Sequence, residues 1–160
     1  MTQKPIPDIV IGRLPVYLRA LTRLLAQHGH QVIPFAVHHP RNRTTPYDTY
    51  FLEPLDFHHQ GPLGKLRAAQ RVIYYRPAAR NIAALLDDTH PDIVHLHNIY
   101  HHISPSILPE ITRRGIPIVH TLHDYKLICP NYLLRTQGQV CELCRDGTYY
   151  HAVRRRCLHD

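Results

Sequence analysis

The sequence lacks any long hydrophobic run, and this absence narrows the kinds of protein it can encode. No window of the 160 residues approaches the roughly 20 apolar residues of a membrane span. The N-terminus also lacks the apolar core of a secretory signal. We therefore expect a cytoplasmic protein. Internal repeats and low-complexity segments are absent as well.

Acidic residues are scarce relative to basic ones. The chain has 12 Asp and Glu against 19 Lys and Arg, which gives a formal net charge of +7. This charge suits anionic partners such as membrane surfaces, phosphates or nucleic acid, but it does not choose among them. Segment 65–80 interleaves basic with apolar residues. It predicts peripheral contact with an anionic inner membrane face, unless it is an ordinary solvated helix face.

The length predicts a single domain that spans residues 1–160 and can fold alone. A chain of this size buries roughly 70% of the surface that its unfolded form exposes. Within the domain, we expect residues 1–16 to be an atypical or truncated start and residues 124–160 to be a cysteine-rich, zinc-binding subregion.

Residues 91–131 are the most informative stretch and predict a strand, a helix and a second strand. The apolar runs 92–96 and 117–122 predict the strands. Segment 104–115 between them predicts the helix, with Ser104 as its N-cap. The two strands of such a unit lie parallel.

Polar pairs follow both predicted strands: His97 and Asn98 follow the first, and His123 and Asp124 follow the second. Because parallel strands bring their carboxyl ends to one edge, we expect a ligand site there. A histidine can donate a hydrogen bond or exchange a proton near neutral pH, and Asp124 can bias its charge. We therefore predict that these four residues line a ligand site, with His123 and Asp124 as the candidates for chemistry. The alternative for His123 is a structural histidine at a strand end.

The rest of the sequence predicts further strands of the same sheet and helices that flank it. They are a strand stub at 9–11, a helix at 14–28, a strand at 31–37, a short strand at 49–52 and helical segments within 61–88. The last of these should break near Arg76, because Pro77 removes a helix hydrogen bond. The predicted fold class is α/β: a Rossmann-like parallel sheet flanked by helices, with a C-terminal cysteine-rich loop.

Three segments carry a resemblance to a known family. They are D-I-V-H-L-H-N, S-P-S-I-L-P and, most specifically, T-L-H-D-Y-K-L-I-C-P-N. Together they resemble the N-terminal, acceptor-side domain of family 4 glycosyltransferases, which are retaining, sugar-nucleotide-dependent enzymes of the GT-B fold. The likeness runs over about residues 17–157.

The resemblance implies roles and partners. It places His123, with Asp124 beside it, against the donor sugar, where the imidazole helps to stabilise an oxocarbenium-like transition state. It implies a nucleotide-sugar co-substrate, a glycan or lipid-linked acceptor that His97 and Asn98 contact, and a role in polysaccharide biosynthesis. The C-terminal nucleotide-binding domain of the GT-B fold has no room in 160 residues. We therefore expect either a fragment that is inactive alone or a chain whose partner supplies the second domain.

The start of the chain departs from the family pattern. The family usually has G-G-x-E before the first helix, whereas this chain has Gly12, then Arg13 in place of the second glycine and Pro15 in place of the acid. The glycines let backbone amides approach a diphosphate at a helix N-terminus. Gly12 is therefore only a weak candidate for donor binding.

The cysteines form the strongest metal pattern in the sequence. They are Cys129, Cys141, Cys144 and Cys157, with C-x-x-C at the centre and one cysteine on either side. Four thiolates suit tetrahedral zinc, and in a reducing cytoplasm a metal is favoured over disulfides. Such a zinc would be structural, because no position stays open for water. The alternative is four incidental reduced cysteines.

The histidines suggest a metal less strongly. We expect His95 to alternate away from His97 along the strand, and no H-E-x-x-H spacing occurs. We interpret His101 and His102 as surface residues.

A competing function is a non-enzymatic, zinc-ribbon-like module that uses the +7 charge to bind nucleic acid. Aromatic residues are not interleaved with the basic ones near the cysteines, and a ribbon does not need a buried parallel sheet. The main interpretation therefore includes no nucleic acid.

Overall fold

The computed structural model describes the backbone of residues 6–11, 15–54, 71–100 and 103–157, and the side chains in these ranges from residue 17 onward. The chain divides into two compact units, Met1–Thr121 and Leu122–Asp160. The first, which holds the parallel strands, is called the sheet unit. The second, which holds the four cysteines, is called the cysteine unit.

Four parallel strands form the sheet of the sheet unit. They are β1 (Ile6–Ile11), β2 (His30–Phe35), β3 (Ile93–His97) and β4 (Ile118–Thr121), in the order β2-β1-β3-β4. The predicted α/β class is confirmed: the sheet is Rossmann-like and flanked by helices. β1 is longer than the predicted stub. The chain moves from β1 to one side for β2 and then crosses to the other side, so the order reverses between β1 and β3. Ligands of open α/β sheets bind outside the carboxyl ends at such a switch point.

The helix after β1 has clear start and stop signals. α1 (Pro15–Gln27) begins with proline, whose fixed φ and missing N–H suit the first helical position. It ends before Gly29, which has a φ of 88° that a residue with a Cβ rarely adopts. The predicted helix over 14–28 is therefore confirmed.

The helix before β3 starts at Arg76, where the sequence predicts a break. α2 (Arg76–Thr89) carries Pro77 in its first turn, and residues 74–75 before it are not helical, so the predicted break is confirmed. One face is buried at helical spacing. Its residues are Ala78, Ala79, Ile82, Leu85 and Leu86. The helix ends at His90, whose left-handed backbone has a φ of 46°.

The helix between β3 and β4 forms in two parts. A 3-10 turn, Pro105–Ile107, leads into α3 (Leu108–Thr112). The predicted cap is confirmed, because the Ser104 hydroxyl oxygen accepts the backbone N–H of Ser106 at 3.3 Å. The cap fixes the point at which the loop after β3 enters the helix.

The short strand predicted at residues 49–52 is wrong. Asp48–Tyr50 form a 3-10 turn instead, and Leu52 makes an isolated parallel bridge. The turn forms because the Asp48 carboxylate accepts the backbone N–H of Thr45 at 3.1 Å and also its hydroxyl. Such local side-chain bonds compete with strand pairing.

The core of the sheet unit consists of aliphatic and aromatic side chains from the strands, from α2 and from the turn before α3. Fully buried examples are Phe35 on β2, Ile82 and Leu86 on α2, Leu96 on β3, and Ile107. Burial of each such side chain contributes about 1.5–3 kcal/mol. This packing holds β3 rigid up to the edge of the sheet where the predicted site residues lie.

A bidentate ion pair joins α2 to the end of α3. Arg114 donates from Nε and from Nη2 to the two carboxylate oxygens of Asp87, at 2.7 and 2.8 Å. The hydrogen bonds from Arg114 lower the pKa of Asp87 below its ordinary value of 3.8. A lowered carboxyl pKa stabilises the fold above the unfolded-state pKa, and this contribution is lost as the pH falls through the folded-state pKa.

We therefore expect Asp87→Asn to lower the melting temperature at neutral pH, because the charged pair is lost. The difference from the unchanged protein should shrink as the pH falls below about 4. Thermal unfolding of both proteins across this pH range tests it, with Asp92→Asn at an exposed carboxylate as the control. A difference that stays constant down to low pH contradicts the ion-pair explanation.

The cysteine unit has short elements. β5 (Arg135–Thr136) and β6 (Gln139–Val140) form an antiparallel hairpin, and α4 (Tyr150–Arg154) follows. Gln137 and Gly138 at the hairpin turn have φ values of 49° and 77°. Two positive φ angles in succession are what a two-residue type I′ turn requires. The hairpin delivers the chain to the C-x-x-C pair.

Candidate functional site

The carboxyl end of β3 is a buried histidine. His97 is 0% exposed. Its ring centre lies 5.4 Å from that of Tyr17 on the first turn of α1, and 4.1 Å from that of His95. Because α1 follows β1 and β1 pairs with β3, these rings lie at the switch point of the sheet.

The expectation that His95 points away from His97 is wrong. Successive side chains of a strand alternate between faces, so residues two apart share a face. His95 Nε2 also lies 2.7 Å from the Thr121 hydroxyl oxygen, a hydrogen bond whose donor depends on the imidazole tautomer. The bond ties β3 to the end of β4, beside His97.

Asn98 follows β3 with a left-handed backbone. Its φ is 46° and its side chain is half-buried. Asparagine adopts this conformation more readily than most residues because its short amide bonds locally. The position offers an amide donor and acceptor at the carboxyl edge of the sheet, next in sequence to the buried His97.

His123 and Asp124 open a tight turn in the cysteine unit. His123 is exposed. Asp124 is half-buried, and its carboxylate accepts the backbone N–H of Lys126 at 2.9 Å. The Tyr125 carbonyl accepts the N–H of Cys129 at 2.8 Å, which closes the turn. Asp124 therefore fixes the backbone next to His123, whose imidazole can reach a ligand.

The structure places the two predicted pairs in different units. His97 and Asn98 belong to the sheet unit, whereas His123 and Asp124 belong to the cysteine unit. Within each unit the two members of a pair are adjacent. In the sheet unit, the rings of Tyr17 and His95 lie beside that of His97. In the cysteine unit, the turn that the Asp124 carboxylate stabilises follows His123.

The four cysteines line one small cavity of the cysteine unit. Cys129, Cys144 and Cys157 are buried and Cys141 is half-buried, and all four are free thiols. The volume of the cavity is about 10 Å³, which is roughly the space that one water molecule needs. Sequence spacing alone thus identified residues that the fold brings together.

The four thiols lie near one another, but their side chains do not have the arrangement of metal ligands. Burial raises the pKa of the Cys144 thiol, a backbone hydrogen bond from Ala152 lowers it, and the other three cysteines raise it further. Across residues 17–54, 71–100 and 103–157, no three His, Cys, Asp or Glu side chains are arranged to hold a metal ion.

Asn131 is a buried residue that sequence reasoning missed. Its side-chain oxygen accepts from the Cys129 thiol at 2.8 Å and from the Leu133 N–H at 3.1 Å. Its amide nitrogen donates to the carbonyls of Arg135 at 2.7 Å and Cys157 at 3.4 Å. Asn131 therefore connects both ends of the cysteine segment. The one available signal was its position two residues after a cysteine.

Several predicted positions lie outside the described residues. They are Gly12, Arg13, His101, His102 and the first part of the basic segment, residues 65–70. The described part of that segment has exposed Ile73 and Tyr74, whereas Tyr75 is buried under the Arg71 guanidinium, 5.3 Å from its ring centre. No helix in the described part of the chain is long and apolar enough to cross a membrane.

Comparison with known proteins identifies the family. The sequence model of Glycosyltransferase Family 4 matches residues 14–155. The chain belongs to glycosyltransferase family 4. The family 4 match runs through both the sheet unit and the cysteine segment, and it confirms the resemblance carried by the H-D-Y-K-L-I-C-P-N block.

One relative of this family 4 domain is the "Uncharacterized 42.6 kDa protein in cps region" of Klebsiella pneumoniae. The two are 27% identical over 139 residues, which cover 80% of this chain and 37% of the relative. The chain thus spans little more than a third of that relative's length. No solved structure matches the chain.

Proposed function

We propose that this family 4 domain is the acceptor-side half of a retaining GT-B glycosyltransferase. It would transfer a sugar from a nucleotide sugar to a glycan or lipid-linked acceptor in the cytoplasm. The observation that carries the proposal is that the family match spans both the sheet and the His123 turn. The cps-region relative favours polysaccharide biosynthesis. A second α/β domain is the partner that binds the nucleotide.

The proposed role of His123 is electrostatic. A glycosyl transition state carries positive charge on the sugar ring and negative charge on the leaving phosphate. An imidazole N–H fixed near the developing negative charge stabilises the transition state more than the ground state. The exposure of His123 and the rigid turn that Asp124 forms after it support this role. Gly12 remains a weak candidate for contact with the diphosphate.

Asn98 is the residue that we propose for acceptor contact, with His97 beneath it. His97 is too deeply buried to reach a large ligand in this conformation, so it would position Asn98. We expect Asn98→Gly to raise KM for the acceptor several-fold and to leave the melting temperature nearly unchanged. Glycine adopts the left-handed φ without strain, so this variant removes the amide and keeps the backbone. Steady-state kinetics with varied acceptor tests it, and an unchanged KM contradicts the assignment.

Peripheral membrane contact is part of the proposal where the acceptor is lipid-linked. Ile73 and Tyr74 are 75% and 53% exposed, and the exposed Arg71 and Arg76 flank them. Apolar side chains that insert between basic ones suit an anionic lipid surface. Residues 65–70 of the same segment lie outside the described part of the chain.

A transfer assay tests the proposed function as a whole. The chain joined to its nucleotide-binding domain is incubated with a panel of uridine and guanosine diphosphate sugars and with lipid-linked acceptors. Supporting outcomes are release of nucleoside diphosphate and a product with the donor's anomeric configuration, read by mass spectrometry and nuclear magnetic resonance. RNA binding without any sugar transfer would favour the nucleic-acid alternative instead.

A further inference from the structure

The cysteine unit has almost no apolar core. Among residues 122–157, the buried side chains are three cysteines with Asn131, Thr136 and Ala152, and no Leu, Ile, Val or Phe is buried. Its large apolar side chains are exposed instead. Examples are Tyr125, Leu127, Leu133, Leu143 and Tyr149. A unit of this size needs a cross-link or a metal, because the little apolar surface that it buries does not offset the entropy lost when its chain is ordered.

We propose that the four cysteines bind one zinc ion as thiolates and that this metal is the core of the cysteine unit. Binding replaces four S–H bonds by four Zn–S bonds and releases four protons, which gives a site of net charge −2. The proposal does not depend on the proposed transferase function.

The lining of the cavity suits such an anion. Two basic residues, Arg135 and Arg155, are among those that line it, and positive charge near the cavity favours a site of charge −2. Asn131 accepts the Leu133 N–H and donates to the Cys157 carbonyl, so it connects the loop after Cys129 to the backbone of the other outer cysteine.

The ligands arrive on backbone suited to a metal site. Cys141 directly follows the β5–β6 hairpin, and its N–H bonds the Leu134 carbonyl at 2.8 Å. Cys144 sits in a turn that Gly147 closes with a φ of 82°. The C-x-x-C spacing thus places Cys141 at the end of the hairpin and Cys144 in the turn that follows it, close enough in sequence to bind one metal ion. Zn–S bonds of about 2.3 Å require the four sulfurs to close in on the cavity.

A metal at this point would also hold the turn that begins at His123. Cys129 closes that turn through its N–H to the Tyr125 carbonyl, and its own carbonyl accepts from Tyr132 at 2.8 Å. A ligand bond at Cys129 therefore restrains residues 123–132. Hydrogen exchange can detect this directly, because amides of a tethered turn open less often.

The experiment uses the full chain purified under reducing conditions. We expect about one zinc per chain by elemental analysis, and cobalt substitution should give thiolate charge-transfer and tetrahedral visible bands. Chelation should make all four thiols reactive and speed amide exchange across residues 123–157, while the amides of β3 stay protected. These readouts need no variant, so a variant that fails to fold does not obscure the result.

Two variants define the ligand set. Cys144→Ser should weaken metal binding by more than about tenfold. His151→Gln removes the half-buried imidazole that also lines the cavity and should leave the stoichiometry unchanged. Well under one metal per chain while four thiols still titrate overturns the proposal, as does a mass that reports two disulfides. Loss of metal in His151→Gln overturns the four-thiolate set.

Discussion

Replacing His123 by alanine is expected, on the proposed function, to lower turnover about 100-fold in a protein that joins this chain to the proposed nucleotide-binding domain. The reason is that an imidazole aimed at developing charge acts in the transition state more than in the ground state. Donor affinity should therefore change much less than kcat. The measurement is steady-state transfer with varied donor, which separates kcat from KM.

His28→Ala is the matched control for this substitution. His28 is an exposed histidine at the end of α1, directly before β2 begins, and so lies at the amino edge of the sheet. We expect it to leave kcat nearly unchanged. Equal and small losses in both variants, with the fold intact, show that His123 is a structural residue and that the catalytic assignment is wrong.

The sheet could be predicted because its signals are local. The apolar runs that became β2, β3 and β4, Gly29 after α1 and Pro77 in the first turn of α2 all act within a few residues. The strand predicted at residues 49–52 is wrong for a physical reason. Its β-branched and aromatic residues favour a strand, but Asp48 bonds Thr45 and winds the chain into a turn.

The sequence located candidate residues after the strands but not the contacts that they make. Strand ends identified His97 and His123, yet the period of a strand was misapplied to His95, which stacks beside His97. Asp124 was assigned to chemistry alone, whereas its carboxylate also holds a turn. The sequence offers little guidance on Tyr17, because its approach to His97 depends on how α1 packs after β1.

Ile82→Ala is expected to destabilise the sheet unit by about 2–5 kcal/mol. Ile82 is 0% exposed and lies in the middle of the buried face of α2, among the side chains that pack against the sheet. Alanine keeps the helix, since it is the best helix former, so the cost comes from lost packing and the cavity left behind. For a chain of this length such a loss lowers the melting temperature on the order of 10 °C.

Ile73→Ala makes the same chemical change where packing is absent. Ile73 is 75% exposed, so we expect a change within about 0.5 kcal/mol. Chemical unfolding with urea, followed by circular dichroism, gives both free energies on one scale. The contrast tests whether α2 packs its Ile82 face inward, and with it the support of β3 up to His97. Equal effects of the two substitutions mean that α2 is oriented differently and that the packing beneath His97 is wrong.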